Sequence, residues 1–307
     1  MIDVDRSLSC KKSELLDYFR QRAAESLQDI RRTYGSTEYR KQASLINKAL
    51  TETKDLLVKA LLQRAEKEKW SNEEILRCIL MLTYTNDVVM LEYRNEVWPY
   101  EYMTFSRRIG ELWERFCGIS FEYPINEIQL FVPPLFSEVR KRFTTEIEDF
   151  IDQLNITQEQ KIQLKRYYNK VWGLVTSGEI KLELDLHFEF GNKKIVIDLK
   201  SGFGSNEKGN TNRLLLVASI YKNLEENYKC IILVRSEEDM NNNYFQTLKN
   251  SGIWEAYCGK EAYGQIKKYS GFDLKLWINE NVNWKTDFRQ ETREYLIERE
   301  LEQYLEW

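Results

Sequence analysis

Histidine, proline and cysteine are scarce in this chain of 307 residues, which contains one, four and five of them respectively. Because His187 is the only histidine, a Ser-His-Asp triad or a multi-histidine metal site is disfavoured, and catalysis would rest on carboxylates and lysines. The cysteines are scattered and form no CxxC pair. This spacing disfavours a zinc site and a disulfide framework, and it fits a reducing intracellular compartment.

Long apolar runs are also missing. No stretch approaches the roughly 18 apolar residues that a membrane span needs. The N-terminus carries acids where a signal peptide would have a basic start and an apolar segment. We therefore expect a cytoplasmic protein with no membrane partner.

An excess of positive charge is absent, since the formal net charge is −4. That balance excludes a histone-like protein that holds nucleic acid through a broad basic surface. The charge is uneven along the chain, however. Residues 285–307 hold four basic and seven acidic side chains, whereas residues 193–213 hold five basic and two acidic ones. A local nucleic-acid contact near residues 193–213 remains compatible with the composition.

Helical periodicity dominates the first third of the chain. Residues 1–103 are predicted to form a helical N-terminal region, in which Ser71 and Glu74 have the spacing of a capping box. Residues 119–132 look strand-like, residues 133–175 return to a helical pattern, and β patterns begin at residue 179. The expected fold class is α/β of the α+β kind, with a mixed sheet flanked by helices.

The most informative segment is a predicted β-hairpin at residues 179–200. Gly191-Asn192 is a tight-turn dipeptide, and paired positions across such a turn sum to 383. Asp185 then faces Asp198, and Glu183 faces Lys200. Alternation assigns these polar side chains, with His187, to one face of the sheet. The other face is predicted to be apolar and buried through Leu182, Leu184, Leu186, Phe188 and Phe190.

Two carboxylates in directly opposed positions repel each other unless a cation lies between them. Mg²⁺ suits such a pair, because it binds one or two carboxylates together with waters and phosphate oxygens. A neighbouring lysine could orient a water and offset negative charge. These are the parts of a metal-dependent phosphodiesterase. The alternative interpretation is a solvated strand face with no chemistry, as in a non-enzymatic α/β interaction module.

The run LELD, twelve intervening residues and DLK resembles the motif of the PD-(D/E)XK nuclease superfamily, best known from type II restriction endonucleases. The resemblance implies that Asp185, Asp198 and Leu199 are metal-ligating positions for Mg²⁺, and that Lys200 is the lysine at the attacking water. Many members carry a further acid on the first helix, for which Glu114 is the first candidate and Glu111 the second. Leu184 stands where the motif usually has proline.

The resemblance also implies a catalytic domain over residues 104–307, with a restriction-endonuclease-like core and a helical insertion at 133–175. The family core of helix, three-stranded meander, helix and strand would correspond to residues 104–117, 119–132, 179–190, 194–200, 211–226 and 229–235. It implies double-stranded DNA as partner, a homodimer, and the cytoplasm of a bacterial or archaeal cell. A junction or repair nuclease, or a nickase, of the same superfamily is the first alternative function.

DNA contacts are predicted in the polar segment that follows Lys200, because the motif places it beside the metal. The candidate residues are Ser205, Asn206, Lys208, Asn210, Thr211, Asn212 and Arg213.

Overall fold

The computed structural model describes residues 2–35, 37–174, 180–204, 206–224 and 227–307. The described helices are α1 (Lys12–Thr33), α2 (Tyr39–Glu68), α3 (Asn72–Val97), α4 (Tyr102–Glu122), α5 (Phe136–Gln153), α6 (Gln158–Leu174), α7 (Lys208–Asn223), α8 (Asn243–Lys249), α9 (Gly259–Ser270), α10 (Leu274–Asn281), α11 (Trp284–Asp287) and α12 (Gln290–Glu298). The strands are β1 (Gln129–Leu130), β2 (Leu186–Phe190), β3 (Lys193–Lys200), β4 (Tyr228–Val234) and β5 (Trp254–Cys258). Short 3-10 turns cover Arg6–Cys10, Glu238–Met240 and Glu302–Leu305.

Helices α1, α2 and α3 form the N-terminal layer, as the helical periodicity predicts. The capping box is present, since the Ser71 side chain accepts from the Glu74 N–H and the Glu74 carboxylate accepts from the Ser71 N–H. Helix α3 is buried almost all round from Cys78 to Asn95, which includes several polar side chains. No helix in the described part of the chain is both long and apolar enough to cross a bilayer.

The five strands form one mixed sheet in the order β1-β2-β3-β4-β5. β2 runs antiparallel to both β1 and β3, whereas β4 is parallel to β3 and β5 is parallel to β4. The fold class is therefore mixed α and β, as the sequence predicts. Both faces of the sheet are covered. Ile195 and Ile197 belong to a core shared with the N-terminal helices, and Val196 belongs to a second core with α7 and α8.

The predicted strand at 119–132 is mostly wrong. Helix α4 continues to Glu122, and only Gln129–Leu130 pairs with β2. Ile119 and Phe121 belong to the last turns of α4 and are buried, so they extend the apolar stripe of that helix instead of starting a strand. Gly118 has open space around it and does not interrupt the helix. Helices α5 and α6 lie in the predicted insertion.

The C-terminal part also differs from the sequence prediction. The charged sequence pattern of residues 287–306 predicts one long helix, but the structure divides this segment, and helices α9 and α10 have no clear signal in the sequence. Helix α12 ends at Glu298, and Glu300 has a left-handed φ of 55°, which an α-helix does not accommodate. The chain turns there so that Leu301 and Trp307 enter the main core.

Candidate active site

The hairpin register places Asp198 inside the molecule. The pairs Leu186 with Ile197 and His187 with Val196 follow the sum of 383 that the Gly191-Asn192 turn predicts. Asp198 lies on β3 beside Ile232 of β4, and its side chain is only 2% exposed. A carboxylate in such a place is costly unless it has polar or cationic partners. Its surroundings therefore indicate what the site can bind.

Asp198 has two cationic neighbours. The Lys200 Nζ lies 3.0 Å from Asp198 Oδ2, and an Arg213 guanidinium nitrogen lies 3.7 Å from Asp198 Oδ1. Burial raises the pKa of Asp198, an effect that Lys200 opposes and Asp185 reinforces. Burial would lower the pKa of Lys200, but the nearby acids Asp198, Asp185 and Glu114 together outweigh burial and the pKa is raised. Lys200 is thus a stable cation here, suited to orienting a water or a phosphate.

Asp185 is held beside the end of β3 by a main-chain contact. The Leu199 N–H donates to Asp185 Oδ2 at 2.6 Å, and Asp185 lies at a bend immediately before β2. Asp185 is exposed to solvent, whereas the Leu199 side chain is buried in the apolar core. Leu199 could therefore contribute to a metal site only through its main-chain oxygen, which stays a prediction.

Of the two acids proposed on the first helix, Glu114 is the one near this group. Burial raises the pKa of Glu114 to about 7, opposed by Lys200 and reinforced by Asp185 and Asp198. Glu111 is exposed and pairs with Arg107 at 2.9 Å. Helix α4 comes close because Gly110 has no side chain, and a Cβ there would lie 2.7 Å from Ser201 Oγ.

The expected polar face at residues 181–189 is not formed as predicted. Regular pairing begins only at Leu186, and Glu183 is exposed without an ion pair to Lys200 among the described residues. Leu182 and Leu184 join the core beneath α7, while Phe188 packs in the opposite core, so strict alternation fails at the Asp185 bend. Glu183 therefore does not belong to the cluster of three carboxylates that the sequence predicts.

His187 is a structural residue in this arrangement. Its ring is buried beside Phe131 and Tyr221, and its Nε2 accepts from the Leu184 N–H at 3.3 Å. Burial lowers its pKa. Strand alternation predicts His187 on the polar face of the hairpin, whereas the structure buries its ring.

The segment predicted to contact DNA is partly helix. Ser205 lies outside the described residues, and Asn206 is in an exposed turn. Helix α7 begins at Lys208, so Asn210 and Asn212 are helical and not in a loop. The reason is a buried stripe formed by Thr211, Leu214, Val217, Ala218 and Tyr221, which overrides the weak helix propensity of the Gly- and Asn-rich start.

Three predicted DNA contacts change accordingly. Thr211 is 2% exposed and faces the core, so its side chain is not placed to reach DNA. Asn210 donates to Glu207 at 2.9 Å. Arg213 is turned towards Asp198, which sequence reasoning did not anticipate, because the contact joins two elements that are remote until they pack. Lys208 and Asn212 remain exposed on the first turns of α7.

The Asp185 and Asp198 carboxylates offer oxygen atoms of the kind that Mg²⁺ prefers. Asp198 Oδ2 is buried, and Lys200 Nζ lies 3.0 Å from it. Within the described ranges no three acidic, histidine or cysteine side chains converge as a metal cluster. Two carboxylates and a main-chain oxygen, completed by waters and a phosphate, are nevertheless a usual set for Mg²⁺.

Comparisons of this chain with protein-family models, with curated proteins and with solved structures find no match. The interpretation of the site therefore depends on its own residues and geometry.

Proposed function

We propose that this protein is a Mg²⁺-dependent endonuclease that hydrolyses phosphodiester bonds of double-stranded DNA, of the type II restriction class. The observation that carries the proposal is the meeting of Asp185, Asp198 and Lys200 at the end of β3. Asp198 is buried there inside an otherwise apolar strand, with the cations Lys200 and Arg213 beside it. A protein that needed only a stable sheet would gain from an apolar residue at this position.

The order of the elements also supports the proposal. Helix α4, the antiparallel strands β1, β2 and β3, helix α7 and the parallel strand β4 follow one another as the PD-(D/E)XK resemblance requires. Helices α5 and α6 would be an insertion between β1 and β2. The cell compartment that we propose is the cytoplasm of a bacterium or archaeon.

Each residue has a separate task in the proposed reaction. Asp185 and Asp198 would hold the metal ion with the Leu199 main-chain oxygen, and Glu114 would join them as a further acid. The ion would polarise the phosphodiester and lower the pKa of a bound water. Lys200, as a cation, would orient that water and offset negative charge on the phosphate. Arg213 would balance the buried charge of Asp198.

The direct test is digestion of a supercoiled plasmid with Mg²⁺, and in parallel with EDTA, followed by sequencing of the ends. Discrete linear fragments with one common end sequence would support a restriction enzyme. Nicked circles alone would indicate a nickase, and cutting confined to branched DNA would indicate a junction or repair nuclease. Intact plasmid, together with no divalent-metal binding by calorimetry, would contradict the nuclease and favour the interaction module.

We further propose that the enzyme is a homodimer, with two-fold symmetry that matches a palindromic site. Helices α5 and α6 expose Phe150, Ile162, Tyr167 and Val171. Along α5, residues 140–142 are basic, whereas four acids lie at residues 146–152. Two copies of α5 packed antiparallel would place opposite charges together and cover Phe150. Sedimentation equilibrium should show a dimer that Phe150→Glu weakens and Leu56→Glu, at an exposed position on α2, does not.

A further inference from the structure

A cavity of about 860 Å³ opens where the three parallel strands end. Its walls include Ser201, which directly follows Lys200 at the end of β3, Arg235 and Ser236 after β4, and Lys260 after β5. Ligands of open sheets with parallel strands bind outside the carboxyl ends of those strands. The volume lies within the usual range of small-molecule sites, and the cavity adjoins the proposed active site.

Three cations line this cavity. Arg235 is half-buried, and its guanidinium donates to the Tyr304 main-chain oxygen at 3.4 Å. Lys275 donates to the main-chain oxygen of Trp307, and Lys260 is exposed at the first turn of α9. None of the three makes a close ion pair with an Asp or Glu side chain in the part of the chain that the structure describes. Glu306 nevertheless lies near Arg235 and Lys275, and Glu237 lies near Lys275, so an anion would share these cations with two carboxylates.

The remaining lining suits a planar polar group. Tyr304 is half-buried and contacts the Tyr102 ring edge-on at 5.3 Å, and Met240 is 75% exposed at the rim. Asn279 and Gln303 contribute side-chain amides, which pair well with base edges. Aromatic rings and cations together are the usual means of holding an unstacked base and its phosphate.

We propose that this cavity binds one nucleotide unit, with the phosphate on Arg235, Lys260 and Lys275 and the base against Tyr304. Glu237 and Glu306 also line the cavity, so its net charge is smaller than the three cations suggest. The nucleotide is an unstacked unit of the bound DNA strand, next to the phosphodiester at Lys200. That choice of source depends on the proposed nuclease function, whereas nucleotide binding itself does not.

The first experiment is calorimetric titration of the whole protein with dAMP in EDTA, so that no cleavage takes place. Lys260→Glu should weaken dAMP binding at least about tenfold, by placing negative charge beside the phosphate. Glu237→Gln should tighten binding by about threefold, because it removes a competing anion. Lys267→Glu, the same change on an outer turn of α9, should leave binding unchanged. Lys260→Glu and Glu237→Gln should change the affinity for dAMP in opposite directions. General loss of folding would weaken binding in both variants, so the two explanations can be distinguished.

Several results would overturn the proposal. One is no binding of dAMP by the unaltered protein, and another is equal affinity for dAMP and inorganic phosphate, which would mean that only an anion is recognised. Equal effects of Lys260→Glu and Lys267→Glu would also contradict it. A chain that binds dAMP but never cuts DNA would refute the nuclease alone.

The source of the nucleotide is tested by competition. If the unit belongs to DNA, dAMP should displace a labelled duplex, and Lys260→Glu should weaken duplex binding in EDTA. If dAMP binds without affecting the duplex, the cavity takes a free nucleotide. In that case nucleotide binding stands and the DNA source is wrong.

Discussion

At the scale of single residues, the two most informative acids are both buried but differ in their neighbours. Asp198 has Lys200 and Arg213 beside it. Asp87, on α3, is fully buried, and neither of its carboxylate oxygens has a hydrogen-bond partner among the described residues. Cations beside a buried acid offset the cost of burying its charge, whereas an acid without direct partners lowers stability.

Asp198→Ala and Lys200→Ala should each reduce plasmid cleavage by at least about a thousandfold, because in the proposed reaction each removes a group that would contact the metal or the reacting phosphate. Duplex binding in EDTA and the circular dichroism spectrum should be retained. Lys193→Ala, at the exposed start of the same strand, is the matched control and should cut normally. Full activity of either site variant would exclude the assignment.

Asp87 should make stability depend on pH. Burial raises the pKa of Asp87 from 3.8 to about 6, with opposition from Arg115, Arg108 and Lys54. The folded state therefore holds this proton more tightly than the unfolded state does. The free energy of unfolding should fall as the pH rises from about 4 to about 6 and then stay level.

Asp87→Asn should accordingly raise the free energy of unfolding by about 1–3 kcal/mol at pH 8 and by little at pH 4. Urea denaturation at both pH values measures this. Glu92→Gln is the contrasting variant on the same helix, because Glu92 receives two hydrogen bonds from Arg20, at 2.7 and 3.0 Å. It should destabilise the protein by about 3 kcal/mol at pH 8. If Asp87→Asn and Glu92→Gln change the free energy of unfolding in the same direction at pH 8, the interpretation of Asp87 is wrong.

At the scale of elements, the contact between α4 and the end of β3 brings Glu114 towards Lys200. It depends on glycine at position 110, where a Cβ would meet both the Cβ and the Oγ of Ser201. The apolar stripe in the sequence predicts helix α4. The sequence does not predict which turn of α4 crosses the loop after Lys200, because tertiary packing determines that contact.

Gly110→Ala should lower the cleavage rate by about tenfold, because the helix must move away from the loop that follows Lys200. Ser201→Gly in the same chain should restore much of that rate, since it removes the two atoms that collide. Gly118→Ala, at an open position of the same helix, should instead raise stability by up to about 1 kcal/mol. If the Gly110→Ala variant cuts DNA at the normal rate, cleavage does not require the close contact between α4 and the loop after Lys200.

Errors in predicting the elements have a common origin. Residues 119–122 are rich in residues that favour strands, and residues 208–212 are rich in those that favour loops, yet both are helical. In each case neighbouring helical turns have a buried stripe that continues through the segment. Burial of that stripe outweighs local propensities of a few tenths of a kcal/mol per residue.

At the scale of the whole molecule, the predicted boundary at residue 103 crosses a continuous core. Phe19 of α1, Trp113 of α4, Ile197 of β3 and Trp277 of α10 belong to the same buried cluster. One face of the sheet is thus covered by side chains from both sides of that boundary. Removal of residues 1–103 would expose a large apolar surface.

We therefore expect unfolding in urea to be one transition, with coincident midpoints by far-ultraviolet circular dichroism and tryptophan fluorescence. A chain that begins at residue 104 should lack a cooperative transition, because half of its core partners are missing. Two separated transitions, or an independently stable 104–307 fragment, would show that the halves are separate domains.

The sequence alone determined the hairpin register, and with it the positions of Asp198 and Lys200 on β3. This was possible because a tight turn and the twofold repeat of a strand act over a few residues. Only the tertiary structure decided that Asp198 is buried, that Arg213 and Glu114 approach it, and that Tyr304 lies in a cavity beside Ser201. These side chains belong to elements far apart in the chain, and packing of the two cores brings them together.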